Sequence, residues 1–259
     1  MEHLLSRPWE LGLVVGIILV LALILGRHTA IRYKIEHTPE RKEQMAGIRN
    51  GFFFLASLLL GFSLNTAASR YLERRSLLVE EAVSTGTTYL RASTLPEPYR
   101  DHSKTLLREY VESRLDLSDI SVNPSKVNGH DQAKRIHGDL WLDAATVAQN
   151  DRTAVTAAYI NSLNQTIDLH EKRVAAFENR IPHTVWFLIV FVSVIATFTR
   201  GSTLGAHFWL TFILVPLTLS IVVALIADLD TPSRGLIRLD QRALQRLKVD
   251  MSTDAAHPD

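Results

Sequence analysis

Charge-free apolar runs alternate along the chain with strongly charged stretches. A helix rises ~1.5 Å per residue, so about 20 apolar residues cross a ~30 Å hydrocarbon core. Four runs meet or approach that length. Residues 11–26 follow Trp9 and end at Arg27. Residues 50–69 lie between Arg49 and Arg70, and residues 181–199 between Arg180 and Arg200. Residues 201–227 end at Asp228 and contain Pro216, which predicts a kink. The first run is short, but Trp9 and the Arg27/His28 pair suit the two membrane interfaces. It could be read as a signal peptide, but a retained helix is the expectation, since Arg27 closes it and no A-x-A-like site follows. Four runs, each ended by Arg or Asp, argue against a buried soluble core.

Residues 70–180 are different in kind, with 15 Lys/Arg and 16 Asp/Glu. Apolar positions near a 3.6 period predict three helices there. One continues out of the second run over 66–93 and stops before Pro96 and Pro98. One covers 99–115, with Leu106, Leu107, Tyr110, Val111 and Leu115 on one face. One covers 142–179 and leads into the third run. Between Asp116 and Asp139, Asn123-Pro124-Ser125 and Asn128-Gly129-His130 predict a turn-rich loop. The tail after Arg246 is polar, contains Pro258 and is expected to be disordered. No alternating strand pattern occurs. The fold class is therefore all-α and integral membrane, with four transmembrane helices. Its parts are 1–69 (first two spans), 70–180 (helical, water-facing), 181–227 (last two spans) and 228–259 (C-terminal segment).

Charge changes this picture in two ways. Lys plus Arg is 28 against 27 Asp plus Glu, so no field favours a nucleic-acid partner. Near the membrane, the Arg27–Arg49 loop has six Lys/Arg, but Arg70, Arg74, Arg75, Lys172, Arg173, Arg180 and five basic residues after the fourth run outweigh it. Positive-inside counting thus places both termini and the 70–180 domain in the cytoplasm. Candidate enzyme chemistry is thin. There is no Cys, and neither H-E-x-x-H, G-x-S-x-G, a Walker loop nor G-x-G-x-x-G occurs. Glu80 and Glu81 are adjacent, hence about 100° apart on a helix, and poorly placed as an acid–base pair. No enzyme activity and no cofactor are expected.

Several blocks carry a resemblance. Leu60-Gly61-Phe62, Arg70, Arg74-Arg75, Glu80-Glu81-Ala82 and Tyr89-Leu90-Arg91 resemble the bestrophin-like family of bacterial membrane proteins. So do Leu95-Pro96, Leu107-Arg108-Glu109-Tyr110 with Arg114, and the closing Asp228-Leu229-Asp230-Thr231-Pro232 with Gly235-Leu236-Ile237-Arg238. That last block is the most specific, and the resemblance runs from about residue 47 to 247. More distantly it extends to bestrophins, pentameric anion channels with four spans, cytoplasmic termini and a pore lined by the second span. It implies a homo-oligomer, a pentamer, in a bacterial inner membrane, passing chloride or another small anion.

If copies surround a pore, one face of the second span must line it. Phe52, Ala56, Leu59, Ser63, Thr66 and Arg70 form one stripe. There an apolar constriction could gate by dewetting, hydroxyls could replace an anion's water shell, and Arg70 could form a positive ring. The neighbouring stripe Leu55, Leu58, Phe62, Asn65, Ser69 is nearly as good a candidate. The bland alternatives are lipid-facing phenylalanines, hydroxyls bonded one turn back, Gly61 permitting close helix approach, and Arg70, Arg74 and Arg75 as interfacial anchors. Asp228 and Asp230 fall where bestrophins carry an acidic Ca²⁺-control segment and are the candidate metal ligands. Capping of the fourth helix, or pairing with Arg234, is the alternative. A membrane sensor or scaffold whose helical domain binds a ligand or protein is the competing function, and a purely structural membrane protein the third.

Overall fold

A computed structural model describes residues 7–32, 38–116, 129–202, 209–231 and 235–256. Eight helices follow one another among them: α1 (Pro8–Arg32), α2 (Pro39–Ala92), α3 (Tyr99–Asp116), α4 (Gly129–Asn150), α5 (Ala154–Glu178), α6 (His183–Ser202), α7 (Trp209–Asp230) and α8 (Arg242–Ala256). Among the described residues there is no strand. The four apolar runs fall in α1, α2, α6 and α7, all long and apolar enough to cross a membrane. At 54 residues, α2 continues well beyond its charge-free part.

The chain divides into two compact units. The membrane unit comprises Met1–Tyr71 and Arg180–Ile237, and the water-facing unit Leu72–Asn179 and Arg238–Asp259. The core of the membrane unit joins Val15 and Leu19 of α1, Leu60 and Ala67 of α2, Ile181, Trp186 and Ile189 at and within α6, and Val223, Ile226 and Ala227 of α7. Small residues set how closely its helices approach. A Cβ added at Gly26 would lie 2.1 Å from the Phe198 carbonyl oxygen, and one at Gly201 2.2 Å from that of Leu23. Backbone thus meets backbone between α1 and α6, the small-residue contact that dispersion favours where the hydrophobic effect cannot drive association.

The core of the water-facing unit takes Tyr89 and Ala92 of α2, Leu107, Tyr110 and Val111 of α3, Ile136, Leu140 and Val147 of α4, Tyr159 and Leu163 of α5, and Met251 of α8. Ser84 and Thr88 of α2 share hydrogen bonds of 3.0 Å with Thr166 of α5, so the polar positions inside this core are paired.

Three sequence expectations are corrected. The helix expected over 142–179 is two helices: α4 ends at Asn150, and Thr153 caps α5 by accepting the Thr156 N–H at 3.3 Å. The cap side chain satisfies a donor that a continuous helix would bond to backbone. Second, α4 begins at Gly129, inside the expected loop, because Ala133, Ile136 and Leu140 repeat at helical spacing and are buried. Third, the tail after Arg246 is helical to Ala256, with Leu244 and Met251 of α8 buried. The turn residues 117–128, Pro232, Arg234 and Pro258 lie outside the described residues.

The α1–α6 contact makes a prediction. Gly26→Ala and Gly201→Ala should each lower the melting temperature of the purified protein, costing about 1–3 kcal/mol as the helices are forced apart. Gly61→Ala, with nothing within 4 Å of the added carbon, should instead be neutral or stabilising by up to ~1 kcal/mol. Equal melting of all three would refute the contact.

Candidate functional site

Within its span, α2 has two unlike faces. Ala56 (1% exposed), Leu60, Ser63 (6%) and Ala67 turn into the core of their own protomer. Opposite them, Phe54, Leu55, Leu58, Phe62 (64%), Asn65 and Ser69 are exposed. The candidate stripe Phe52, Ala56, Leu59, Ser63, Thr66, Arg70 is therefore divided. Ala56 and Ser63 are packed away, Leu59 packs partly against the membrane-unit core, and Phe52 is half-buried. Thr66 is exposed, and its hydroxyl donates to the Phe62 carbonyl at 2.9 Å. Phe62 is exposed, on the neighbouring stripe with Leu55, Leu58, Asn65 and Ser69.

Arg70 is not a free cation. Its guanidinium lies 3.7 Å from the Asp230 carboxylate, and both groups are largely buried. Asp230 also accepts the Ile181 N–H at 3.1 and 3.2 Å on its two oxygens. Its neighbour Asp228 accepts the N–H groups of Leu236 and Ile237, each at 2.9 Å, one per oxygen. Gly235 is required there, since a Cβ at that position would fall 2.1 Å from the Asp228 Oδ1. The two carboxylates thus act as backbone anchors after the last span. Their oxygens are directed at different N–H groups, a poor start for the ~6–8 oxygens a Ca²⁺ ion takes. Among the described residues, no group of three or more His, Cys, Asp or Glu could hold a metal ion.

Beside Asp230, a cavity of about 270 Å³ opens within the membrane unit, lined by Arg180, Ile181, His183, Trp186, Ala227, Asp230 and Thr231.

The water-facing unit holds a buried charge cluster that sequence reading passed over. Glu81 of α2 is fully enclosed and pairs with Arg173 of α5 and, at 3.3 Å, with Arg114 of α3. The Tyr110 hydroxyl donates to it, and His170 Nδ1 lies 3.7 Å away. His137 of α4 stacks edge-on against His170 at 5.0 Å. Four helices therefore meet around one carboxylate. Burial pushes the Glu81 carboxyl up, but His170, Arg173, Arg114 and Tyr110 together hold it well below the usual carboxylate range. Burial and the Glu81 charge push the Tyr110 hydroxyl well up, so it keeps the proton it donates. Arg74 of α2 is also buried and donates to the Ala176 and Asn179 carbonyls at 2.9 Å. It ties α2 to the end of α5 rather than anchoring in an interface. The one available signal for Glu81 was its position three residues from Leu78 and four from Thr85, both on the core face.

The profile of the Bestrophin-like domain family matches residues 13–244. No curated protein matches in sequence. A crystal structure of a bacterial bestrophin homologue from Klebsiella pneumoniae is similar with a TM-score of 0.67 at 13% identity, covering 93% of this chain and 97% of that one. A variant of that homologue with a single mutation gives a TM-score of 0.65 at 14% identity, over 93% and 99% of the two chains. These likenesses are of fold.

The Glu81 cluster makes the second prediction. Glu81→Gln leaves two buried arginines without a counter-charge and should cost about 3–5 kcal/mol, read as a lower melting temperature. Because the folded-state pKa lies below the ordinary value of 4.5, the carboxylate stabilises the fold above that value, and the contribution is lost as the pH falls below it. Melting of the wild type should therefore fall off below about pH 4.5 more steeply than that of Glu81→Gln. Parallel pH profiles would refute the assignment.

Proposed function

The chain belongs to the Bestrophin-like family, and from that premise we propose that it forms a ring-shaped homo-oligomer, a pentamer, that conducts small ions along α2. The observation that carries this reading is Asn65. Its amide is exposed inside the charge-free run, one turn before the end, with no side-chain partner among the described residues. A bare amide in hydrocarbon costs several kcal/mol, so it calls for water or a neighbouring subunit. The exposed face of α2 meets both needs: Leu55, Leu58 and Phe62 supply an apolar constriction that opens by wetting, and Asn65 and Ser69 follow as polar groups.

The permeant species is chloride or another small anion. The Asn65 amide and Ser69 hydroxyl, rather than Arg70, replace part of its water shell, since the Arg70 guanidinium is engaged with Asp230 in its own protomer. Both termini and the water-facing unit lie in the cytoplasm of a bacterium, on the weight of basic residues flanking the second, third and fourth spans.

Ion flux into liposomes holding the purified protein tests this reading. Chloride flux should exceed that of empty liposomes. Phe62→Ala should raise it several-fold by widening the apolar ring, and Asn65→Asp should lower chloride relative to potassium in bi-ionic reversal potentials. A folded oligomer that passes neither ion at any voltage or pH would overturn the channel.

A further inference from the structure

The cavity beside Asp230 is not absorbed by the channel reading, and its chemistry is specific. Arg180 and His183 stand exposed at its mouth, with no side-chain partner among the described residues. Its floor is apolar: Ile181, Trp186 and Ala227 are all buried. The one acid in the wall, Asp230, is balanced by Arg70 and the Ile181 N–H, so the unbalanced charge at the mouth is positive.

Below the mouth, the same face of α6 becomes an apolar track. Steps of four residues bring His183, Phe187 and Phe191 into line. Phe187 and Phe191 are exposed and stack with ring centroids 5.8 Å apart. An arginine and a histidine thus lie above a pair of flat apolar rings, at the point where the span begins. A soluble anion would use only these two polar side chains. A molecule with an anionic head and a hydrocarbon tail would use both.

We propose that this cavity binds one anionic phospholipid per chain, its phosphate held by Arg180 and His183 and its acyl chain laid along Phe187 and Phe191. Basic recesses between membrane helices are suited to such head groups, where desolvation strengthens each charged contact. The site is independent of conduction. Asp230, the partner of Arg70, stands in its wall.

Native mass spectrometry of the full chain in detergent tests the proposal, with phosphatidylglycerol and phosphatidylcholine of identical acyl chains as probes. The wild type should retain one phosphatidylglycerol per chain with a preference of about fivefold or more over phosphatidylcholine. Arg180→Gln/His183→Gln should abolish the preference, and Phe187→Ala/Phe191→Ala should weaken retention of both lipids. Arg75→Gln, an exposed arginine in the water-facing unit, should change nothing, and matched melting temperatures control for folding. Equal retention of the two lipids by the wild type, or an undiminished preference in Arg180→Gln/His183→Gln, would overturn the proposal. So would displacement by inorganic phosphate with no effect of the phenylalanine changes, which would mark a site for soluble phosphate. The readout is bound mass, so it stands or falls separately from ion flux.

Discussion

The membrane unit depends on where the Asp230 carboxylate finds its partners. A carboxylate taken from water loses several kcal/mol of solvation unless donors replace it. Here the replacement comes from the Ile181 N–H, just ahead of α6, and from the Arg70 charge on α2, while Asp230 itself ends α7. One side chain therefore fixes the end of α7 and the start of α6 against the interior of α2, where its charge-free run stops. Asp228 does similar work two residues earlier, holding the chain after α7 through the Leu236 and Ile237 N–H groups. With these ends fixed, the small residues on the inner face of α2 stay against the bundle and Phe62 and Asn65 stay outside.

The water-facing unit solves the same problem with more charge. Glu81 is surrounded by two arginines, a tyrosine and two histidines from the three other helices around it. Such a cluster adds little net stability compared with an apolar core, yet it is costly to break because any one loss strands a buried charge. It permits one arrangement of α2, α3, α4 and α5 and penalises sliding of any of them. Arg74 adds a second restraint by binding the carbonyls that end α5.

Much of this was legible in the sequence, and the exceptions have physical causes. Run length and flanking charges found all four spans, since the bilayer imposes both. The continuation of α2 past the membrane was legible from its periodic apolar positions and the prolines that stop it. The inward face of α2 was not. A span that is apolar all round has no amphipathic stripe, so hydropathy cannot say which side meets protein. The usable signal was size: Ala56, Ser63 and Ala67, with Leu60 between, recur at steps of three and four, the pattern of close helix contact. The break at 151–153 was hidden because a cap needs only Thr153 in the right place. The helix α8 was hidden by its polar composition, although Leu244, Leu247 and Met251 repeat at helical spacing.

A general consequence concerns how function is read in such a chain. In water, an exposed apolar patch signals a partner, because burial would release ordered solvent. In a bilayer that signal vanishes, since lipid covers Leu and Phe as well as protein does. What remains informative is the polar residue in an apolar place. Ser63 is explained by burial inside the bundle, Thr66 by its bond to the Phe62 carbonyl, and Arg70 and Asp230 by each other. Among the polar groups these pairings do not explain are Asn65 on α2 and the Arg180/His183 pair beside the cavity. They lie in different parts of the membrane unit and call for different company: the amide for water or another subunit, the Arg180 guanidinium for an anion. The membrane unit therefore has two faces that its own fold does not complete, and the unpaired polar atoms, rather than the exposed apolar ones, identify them.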